Sequence, residues 1–204
     1  MTEGQSTKLN QIKSVCVFCG SGDGADPIFV EQAKVLGKTL AENNIRLVYG
    51  GGSKGIMGTV AKAVSESNGS VLGVVPKPMY RPESKYIGET VLVPDMHSRK
   101  KRMADESDAF IVLPGGYGTM EEMLEMITWN QLNIFSKPII LLNTKNFFEF
   151  FVKWIQVAVE EQFIKGQNEN IFVNCNSVDE VLSTLETYKA PTTRYTHFDW
   201  SSLV

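Results

Sequence analysis

The sequence predicts an α/β fold, a Rossmann-like doubly wound parallel sheet in a single domain. Short apolar runs alternate with helical patterns along the chain, which is typical of a parallel sheet with helices on both faces. The strand-like runs are almost continuously apolar, as strands buried on both faces are. Three of them end in glycine-rich turns, Gly20–Gly24, Gly50–Gly55 and Gly115–Thr119. In such folds ligands bind beyond the carboxyl ends of the strands.

The predicted elements follow from these periodicities. Strands are expected at Ser14–Cys19, Arg46–Tyr49, Val71–Val75, Val91–Val93, Ala109–Leu113, Pro138–Leu142 and Ile171–Val173. Helices are expected at Pro27–Glu42, Gly55–Ser67, Arg99–Ser107, Thr119–Gln131, Phe147–Gln162 and Val178–Thr187. The irregular segment from Lys77 to Gly88 is interpreted as a loop near the ligand edge, in a position to serve as a lid.

Size and composition indicate one globular domain. The chain has 204 residues, of which 43% are hydrophobic and 21% charged, enough to build a sizeable core. Residues 1–13 are polar and are predicted to be a disordered N-terminal arm, and residues 14–188 form the predicted domain. Residues 189–204 are a C-terminal tail without periodicity, whose Phe198, Trp200 and Leu203 are expected to pack against the domain.

Charge and hydropathy exclude several classes of partner. The net charge is −3 and the pI about 5.5, so there is no general basic field for nucleic acid or an anionic membrane. No apolar run approaches the roughly 20 residues of a membrane helix. The N-terminus lacks the apolar segment of a signal peptide. A cytoplasmic protein is therefore expected.

The cysteines and histidines do not indicate redox or metal chemistry. Cys16 and Cys19 match a C-x-x-C pattern, but inside a strand two residues three apart face opposite sides. With Cys175 they are interpreted as buried structural thiols. His97 and His197 belong to no cluster with metal-ligand spacing, so a zinc site is not expected.

The first two glycine turns do not match either of two well-known nucleotide-binding motifs, the NAD-binding motif and the phosphate loop. Gly20 and Gly50 each begin a G-x-G-x-x-G/A spelling, but no acidic residue ends the next strand to hold the ribose of NAD. The phosphate loop of kinases and ATPases needs Gly-Lys-Ser/Thr, whereas the order here is Ser53-Lys54-Gly55. Several glycine turns at one sheet edge instead favour a mononucleotide.

The segment Leu113–Glu122, which reads LPGGYGTMEE, leads from an apolar strand through three glycines into a helix. Glycine lets the backbone approach a ligand closely, and a helix N-terminus offers free N–H groups and positive potential. This pattern favours an anion site, most simply for phosphate. The alternative is a capping box, with Thr119 as N-cap and Glu122 reaching back to its amide.

A basic segment, Asp95–Met103, opens another helix. Lys101 and Arg102 are interpreted as a solvated face. Arg99 and Lys100 stand near the ligand edge, where a guanidinium can grip a phosphate or carboxylate in bidentate fashion. Because cations are unfavourable at a helix N-terminus, their presence there hints at an anionic partner.

At these residues the chain resembles the Lonely Guy family of cytokinin riboside 5′-monophosphate phosphoribohydrolases, often labelled lysine decarboxylases. The family pattern P-G-G-x-G-T-x-x-E matches Pro114–Glu122, and M-x-x-R-K matches Met96–Lys100. The phrases CVFCGS at 16–21, VYGGGS at 48–53 and ITW at 127–129 are also similar to the family. The resemblance extends over roughly residues 14–188.

The resemblance implies hydrolysis of the N-glycosidic bond of a nucleoside 5′-monophosphate, giving a free base and ribose 5-phosphate. It also implies a homodimer and no cofactor. Arg99 and Glu122 are the implied catalytic pair. The implied substrate-binding residues are Gly20, Ser21, Gly51, Gly52, Glu83, Met96, Lys100, Gly115, Gly116, Tyr117, Gly118, Thr119 and Glu121. The loop after Glu83 is longer than is usual in the family, which makes that residue the weakest match.

Alternatives remain open at this point. Arg99 and Glu122 also fit a structural salt bridge. The protein is alternatively a non-catalytic carrier of a nucleotide or phospho-ligand, or a nucleosidase acting on many nucleoside 5′-monophosphates. A decarboxylase that uses pyridoxal phosphate is disfavoured. That cofactor needs a Schiff-base lysine and an acidic partner for its ring nitrogen, and the sequence shows no such arrangement. Met96, Met120, Met123 and Met126 either line a base pocket or dimer interface, or simply pack.

Overall fold

A computed structural model describes residues 10–200 and confirms the predicted α/β fold. Most of the predicted N-terminal arm, and Leu203 of the tail, lie outside the described residues. Seven parallel strands form one sheet in the order β4-β3-β2-β1-β5-β6-β7. Their bounds are β1 Ser14–Phe18, β2 Arg46–Tyr49, β3 Val71–Pro76, β4 Glu89–Val93, β5 Ala109–Val112, β6 Ile139–Leu142 and β7 Val173–Cys175.

Six α-helices cover the two faces of the sheet. They are α1 Ile28–Glu42, α2 Gly55–Glu66, α3 Met96–Asp105, α4 Tyr117–Gln131, α5 Glu149–Glu160 and α6 Val178–Thr187. Helices α1, α2 and α6 contribute to one apolar core, and α3, α4 and α5 contribute to the other. Short 3₁₀ helices lie at Lys77–Met79, Thr144–Asn146 and Gly166–Ile171.

Strand β1 alternates between the two cores, as the period of two requires. Val15, Val17 and Cys19 pack on the α1 side, whereas Cys16 and Phe18 pack on the α3 side. The two cysteines of the C-x-x-C spelling therefore face opposite ways. They are buried free thiols, and so is Cys175, as predicted.

The order of the strands places a topological switch point between β1 and β5. Strand β1 pairs with β2 on one side, through Val15 and Leu47, and with β5 on the other, through Val15 and Ala109. The chain winds outward in opposite directions from these two strands. Ligands of open α/β sheets bind in the crevice that this reversal leaves at the carboxyl ends of the strands.

Several predicted boundaries were wrong, among them the starts of α3, α4 and β7. Helix α3 begins at Met96 instead of Arg99, because Asp95 caps it by accepting a hydrogen bond from the Ser98 amide at 2.8 Å. Helix α4 begins at Tyr117 instead of Thr119, with Gly116 as the N-cap. The last strand was expected to begin at Ile171, but that residue ends a 3₁₀ helix, and the strand is the short edge β7.

The loop from Lys77 to Gly88 connects β3 to β4 without an α-helix. Its Tyr80 and Tyr86 rings stack with centroids 5.2 Å apart, and Tyr49 donates a hydrogen bond to the Ile87 carbonyl at 3.3 Å. These contacts anchor the loop against the sheet.

The described part of the tail forms hydrogen bonds with the segment at the C-terminal end of α4. The Trp200 indole donates a hydrogen bond to the Leu132 carbonyl at 2.9 Å, and Arg194 donates to the Phe135 carbonyl at 3.0 Å. Within residues 10–200 no helix is long and apolar enough to span a membrane.

Candidate active site

The glycine turns that follow β1, β2 and β5 meet at the carboxyl edge of the sheet. The Gly20 amide donates to the Pro114 carbonyl at 3.0 Å, which joins the first turn to the third. The Met57 amide, at the start of α2, donates to the Gly20 carbonyl at 3.1 Å and joins the second turn to the first. The convergence predicted from the sequence is therefore a hydrogen-bonded arrangement.

Two of these glycines are required by the local geometry. A Cβ at Gly115 would collide with the Thr119 hydroxyl and stand 2.7 Å from the Gly20 amide nitrogen, so no other residue fits between the two turns. Gly51 has a φ of +77°, a conformation that side chains rarely adopt. At Gly22, Gly116 and Gly118, in contrast, a Cβ would meet nothing within 4 Å, so the backbone there is open to a ligand.

A cavity of about 380 Å³ lies above the switch point. Its walls include four residues that the sequence predicts to bind the substrate, Gly20, Ser21, Gly115 and Gly116. Phe29 and Phe147 form its apolar side, with their rings edge to face and 6.1 Å between centroids. The cavity offers both backbone polar groups and an aromatic surface.

The N-terminus of α4 is uncapped. Gly116 has extended backbone, no side chain caps the helix, and no acidic residue stands in its first turn. The amides of Tyr117, Gly118 and Thr119 precede the first intrahelical donor, Met120, which bonds to the Gly116 carbonyl at 3.1 Å. A Cβ at Gly118 would meet nothing within 4 Å. Three N–H groups at the positive end of the helix therefore have no intrahelical partner, which is the arrangement that binds anions.

The capping-box alternative is wrong. Thr119 lies inside α4 instead of preceding it, and its hydroxyl packs against Gly115. Glu122 does not reach back to the helix start, because its carboxylate pairs with Arg99 of α3. The carboxylate is thus free for another role at the sheet edge.

Arg99 and Glu122 form a buried ion pair between α3 and α4. The Arg99 Nη1 donates to Glu122 Oε1, and the two side chains are 9% and 8% exposed. The Arg99 Nε donates to the Val74 carbonyl at 3.2 Å, and the guanidinium occupies the space beside Gly50 that a side chain would fill. The pair therefore stands over the ends of β2 and β3.

Burial raises the pKa of Glu122 above its ordinary value, although the Arg99 guanidinium acts in the opposite direction. Beneath it, burial and the Glu122 charge raise the pKa of the Cys16 thiol well above its usual range. That thiol therefore stays neutral. A carboxylate with a raised pKa inside a polar crevice is a typical feature of an acid–base site.

Lys100 is buried beside this pair. The sequence placed this residue near the ligand edge but did not predict its burial. Its ammonium forms ion pairs with Glu121 and, at 3.0 Å, with Glu125. Burial opposes the charged ammonium, but the two neighbouring carboxylates raise the pKa of Lys100 above its ordinary value. Sequence reasoning missed Glu125. Its signal was the spacing of four from Glu121, which places both carboxylates on one face of α4.

The neighbouring cations behave as predicted. Lys101 and Arg102 are exposed and pair with Asp105 and Glu106, each four residues further along α3. They form the solvated face of the helix.

Other predicted site residues are more dispersed. Met96 is exposed at the start of α3, and the Tyr117 side chain, 99% exposed, projects from the start of α4. Gly52 lies in the turn after β2, where its amide faces the Met57 sulfur at 3.3 Å. Glu83 is exposed in the loop before β4, and no hydrogen bond or ion pair joins it to the described residues of the buried pair.

The four methionines differ in their burial. Met123 and Met126 are fully buried in the core on the α3 side, so they pack. Met120 is half-buried against the same core, and Met96 is exposed.

Fold and site together define a class: an α/β protein with an uncapped helix start next to a buried carboxylate–guanidinium pair at the switch point of the sheet. A family model described as "possible lysine decarboxylase" matches residues 57–185. The chain is 47% identical to the cytokinin riboside 5′-monophosphate phosphoribohydrolase LOG7 of Arabidopsis thaliana, over 88% of this chain and 84% of that one. It is 44% identical to LOG5 of the same plant, over 88% and 80%.

A probable rice enzyme of the same description, LOGL3 of Oryza sativa subsp. japonica, is 46% identical over 88% of this chain and 86% of its own length. The chain belongs to the Lonely Guy family, the group that the family model describes as possible lysine decarboxylases.

Solved structures share the fold at lower sequence identity. The molybdenum cofactor carrier protein of Chlamydomonas reinhardtii superposes with a TM-score of 0.64 and 20% identity, over 86% of this chain and 96% of that one. The molybdenum cofactor binding protein of Rippkaea orientalis gives 0.63 and 19%, with the same coverage. These likenesses support the architecture alone.

Proposed function

We propose that this protein hydrolyses the N-glycosidic bond of an adenosine 5′-monophosphate, with an N6-modified, cytokinin-type base as the preferred substrate. The products are the free base and ribose 5-phosphate. The observation that carries the proposal is the buried pair of Arg99 and Glu122 beside the uncapped start of α4. The names of the relatives that are 44% and 47% identical support the same activity.

The phosphate binds at the N-terminus of α4. The amides of Tyr117, Gly118 and Thr119 supply donors, and the helix supplies positive potential. Gly116 leaves the approach unobstructed, because a Cβ there would meet nothing within 4 Å. Binding the phosphate at this point anchors the ribose at the sheet edge.

Glu122 acts on the sugar. Breaking the bond between C1′ and the base nitrogen develops positive charge on the ribose, as in glycoside hydrolysis. The Glu122 carboxylate stabilises that charge and accepts a proton from the water whose hydroxyl bonds to C1′, and that proton passes to the departing base as the bond between C1′ and the base nitrogen breaks. Its Oε1 is occupied by Arg99, and no hydrogen bond from the described residues reaches Oε2. That oxygen is the one assigned to the substrate.

Arg99 holds the carboxylate in place. Its guanidinium is itself fixed by the Val74 carbonyl at 3.2 Å, so the pair has one orientation. A fixed cation also keeps the buried carboxylate ionised against the effect of burial. A water-exposed ion pair would do neither.

The rest of the proposal concerns the oligomeric state, the cellular location, cofactors, nucleic acid and the division of the chain. It includes the homodimer and the cytoplasmic location expected from the sequence, action without a cofactor, and no binding of nucleic acid. It also includes the division into an arm at 1–13, a domain at 14–188 and a tail at 189–204.

The test is to incubate the protein with AMP, with N6-isopentenyladenosine 5′-monophosphate, and with the latter's unphosphorylated riboside. Chromatography follows base and ribose 5-phosphate. We expect equal amounts of the two products from a nucleotide, faster release from the N6-modified one, and almost none from the riboside. Equal rates on AMP, GMP, CMP and UMP would instead indicate a broad nucleosidase. Binding without turnover would indicate a carrier.

A further inference from the structure

A lysine lies buried between α3 and α4, next to the proposed reaction centre. The Lys100 side chain is 5% exposed, and its ammonium pairs with the carboxylates of Glu121 and Glu125. A buried ammonium must be paired to be tolerated, and it has three protons to place. The carboxylates of Glu121 and Glu125 therefore already compensate the positive charge of the Lys100 ammonium.

Three ion pairs join Arg99 and Lys100 to α4, at two different angles around the axis of that helix. Glu121 and Glu125 are about one turn apart and share a face, whereas Glu122 lies about 100° further around the helix. Arg99 and Lys100 are consecutive on α3, so a rotation or slide of α4 breaks at least one pair. The double attachment fixes the register of the two helices.

We propose that Lys100, held by Glu121 and Glu125, is a positioning residue that fixes α4 against α3 and so sets the Glu122 carboxylate beside Arg99. In this role it does not grip the substrate. The inference rests on the proposed function of Glu122. Glu125, which lies outside the family pattern matched above, belongs to the machinery because it completes the attachment of Lys100.

The charges around Glu122 give this arrangement a measurable consequence. Burial raises the pKa of Glu122, Arg99 lowers it, Glu121 raises it and Lys100 lowers it. The Glu122 charge also acts on two thiols, Cys16 in the core on the α3 side and Cys19, just after β1, in the core on the α1 side, and both stay neutral because burial raises the pKa of each. Removing Lys100 therefore raises the pKa of Glu122, and removing the Glu121 charge lowers it.

The direct test is a titration of Glu122 by carboxyl ¹³C NMR, in protein labelled at its glutamate side chains. The Glu122 resonance is identified by its disappearance in Glu122→Gln. We expect its midpoint to rise in Lys100→Met and to fall in Glu121→Gln. Lys101→Met is the matched control, because Lys101 is the next residue and pairs only with exposed Asp105, and it should leave the midpoint in place. An unchanged midpoint in Lys100→Met would overturn the proposal.

Kinetics separates positioning from substrate binding. We expect Lys100→Met to lower kcat about tenfold or more while KM for the nucleotide stays within about threefold. A KM raised about tenfold at unchanged kcat would overturn the proposal and make Lys100 a phosphate ligand. If Lys100→Met does not fold, Glu121→Gln still decides the question through the opposite shift of the midpoint. The titration needs no turnover, so a failure of the proposed hydrolase activity remains a separate result.

Discussion

The guanidinium of Arg99 donates to the carboxylate of Glu122 across the α3–α4 interface, in a place where both side chains are more than nine-tenths buried. A buried ion pair is weak evidence for stability, because removing two charges from water costs about as much as their attraction returns. Its position over the strand ends, beside an uncapped helix start, is better explained by chemistry than by stability.

Replacing Arg99 with leucine tests how strongly the two charges depend on each other. The variant leaves Glu122 buried without a cation, and we expect the free energy of unfolding to fall by about 3–5 kcal/mol at pH 8. The native pKa of Glu122 then rises further, so the native state takes up a proton before the unfolded state does as the pH falls. The deficit should therefore shrink between pH 8 and pH 5.

Urea unfolding at the two pH values measures this effect. The control is Arg102→Leu, since Arg102 is exposed on the same helix and should cost less than about 1 kcal/mol at either pH. An Arg99→Leu deficit independent of pH would mean that Glu122 carries no charge in the native protein.

In the Gly116→Ser variant, a side-chain helix cap competes with the phosphate for the free amides of α4. A serine side chain at this N-cap can accept from the free amides of α4, so we expect the unfolding free energy to rise by up to about 1 kcal/mol. The same hydroxyl then occupies donors that the phosphate needs, so KM for a nucleoside 5′-monophosphate should rise. Unfolding curves and steady-state kinetics on one preparation give both values.

Gly166→Ser is the matched control, because a Cβ at Gly166 also meets nothing within 4 Å. It should leave KM unchanged. A Gly116→Ser variant with unaltered KM would place the phosphate elsewhere.

Alanine at Gly115 and at Gly118 should act in opposite directions on stability. At Gly115 the added Cβ meets the Thr119 hydroxyl and the Gly20 backbone, and overpacking of this kind typically costs about 1–3 kcal/mol. At Gly118, within the first turn of α4, the Cβ meets nothing, and alanine should add about 0.5–1 kcal/mol. Thermal unfolding of the two variants compares them directly. A stable Gly115→Ala protein would mean that the first and third glycine turns are not in contact.

Most of the architecture could be predicted from the sequence because the strands are buried on both faces and therefore read as continuous apolar runs. The glycine turns could be placed at one edge because parallel strands all end on the same side. Those two regularities locate Gly20, Gly51 and Gly115 without any coordinates.

The errors arose where the outcome depends on tertiary contacts. Thr119 satisfies the spelling of a capping box, but Gly116 supplies the extended N-cap and Arg99 takes the Glu122 carboxylate. The burial of Lys100 depends on how α3 and α4 are rotated against each other, which no local pattern records. Glu125 was missed for the same reason.

The measurement that tests the account most directly is base release by Glu122→Gln under single-turnover conditions, on the nucleotide that the unmodified protein cleaves fastest. Glu160→Gln, an exposed position at the end of α5, is the control, and circular dichroism verifies both folds. We predict that Glu122→Gln loses at least about a hundredfold in rate and still binds the nucleotide, while Glu160→Gln is unaffected. A folded Glu122→Gln protein that releases base at a rate close to that of the unmodified protein would contradict the central role assigned to this carboxylate.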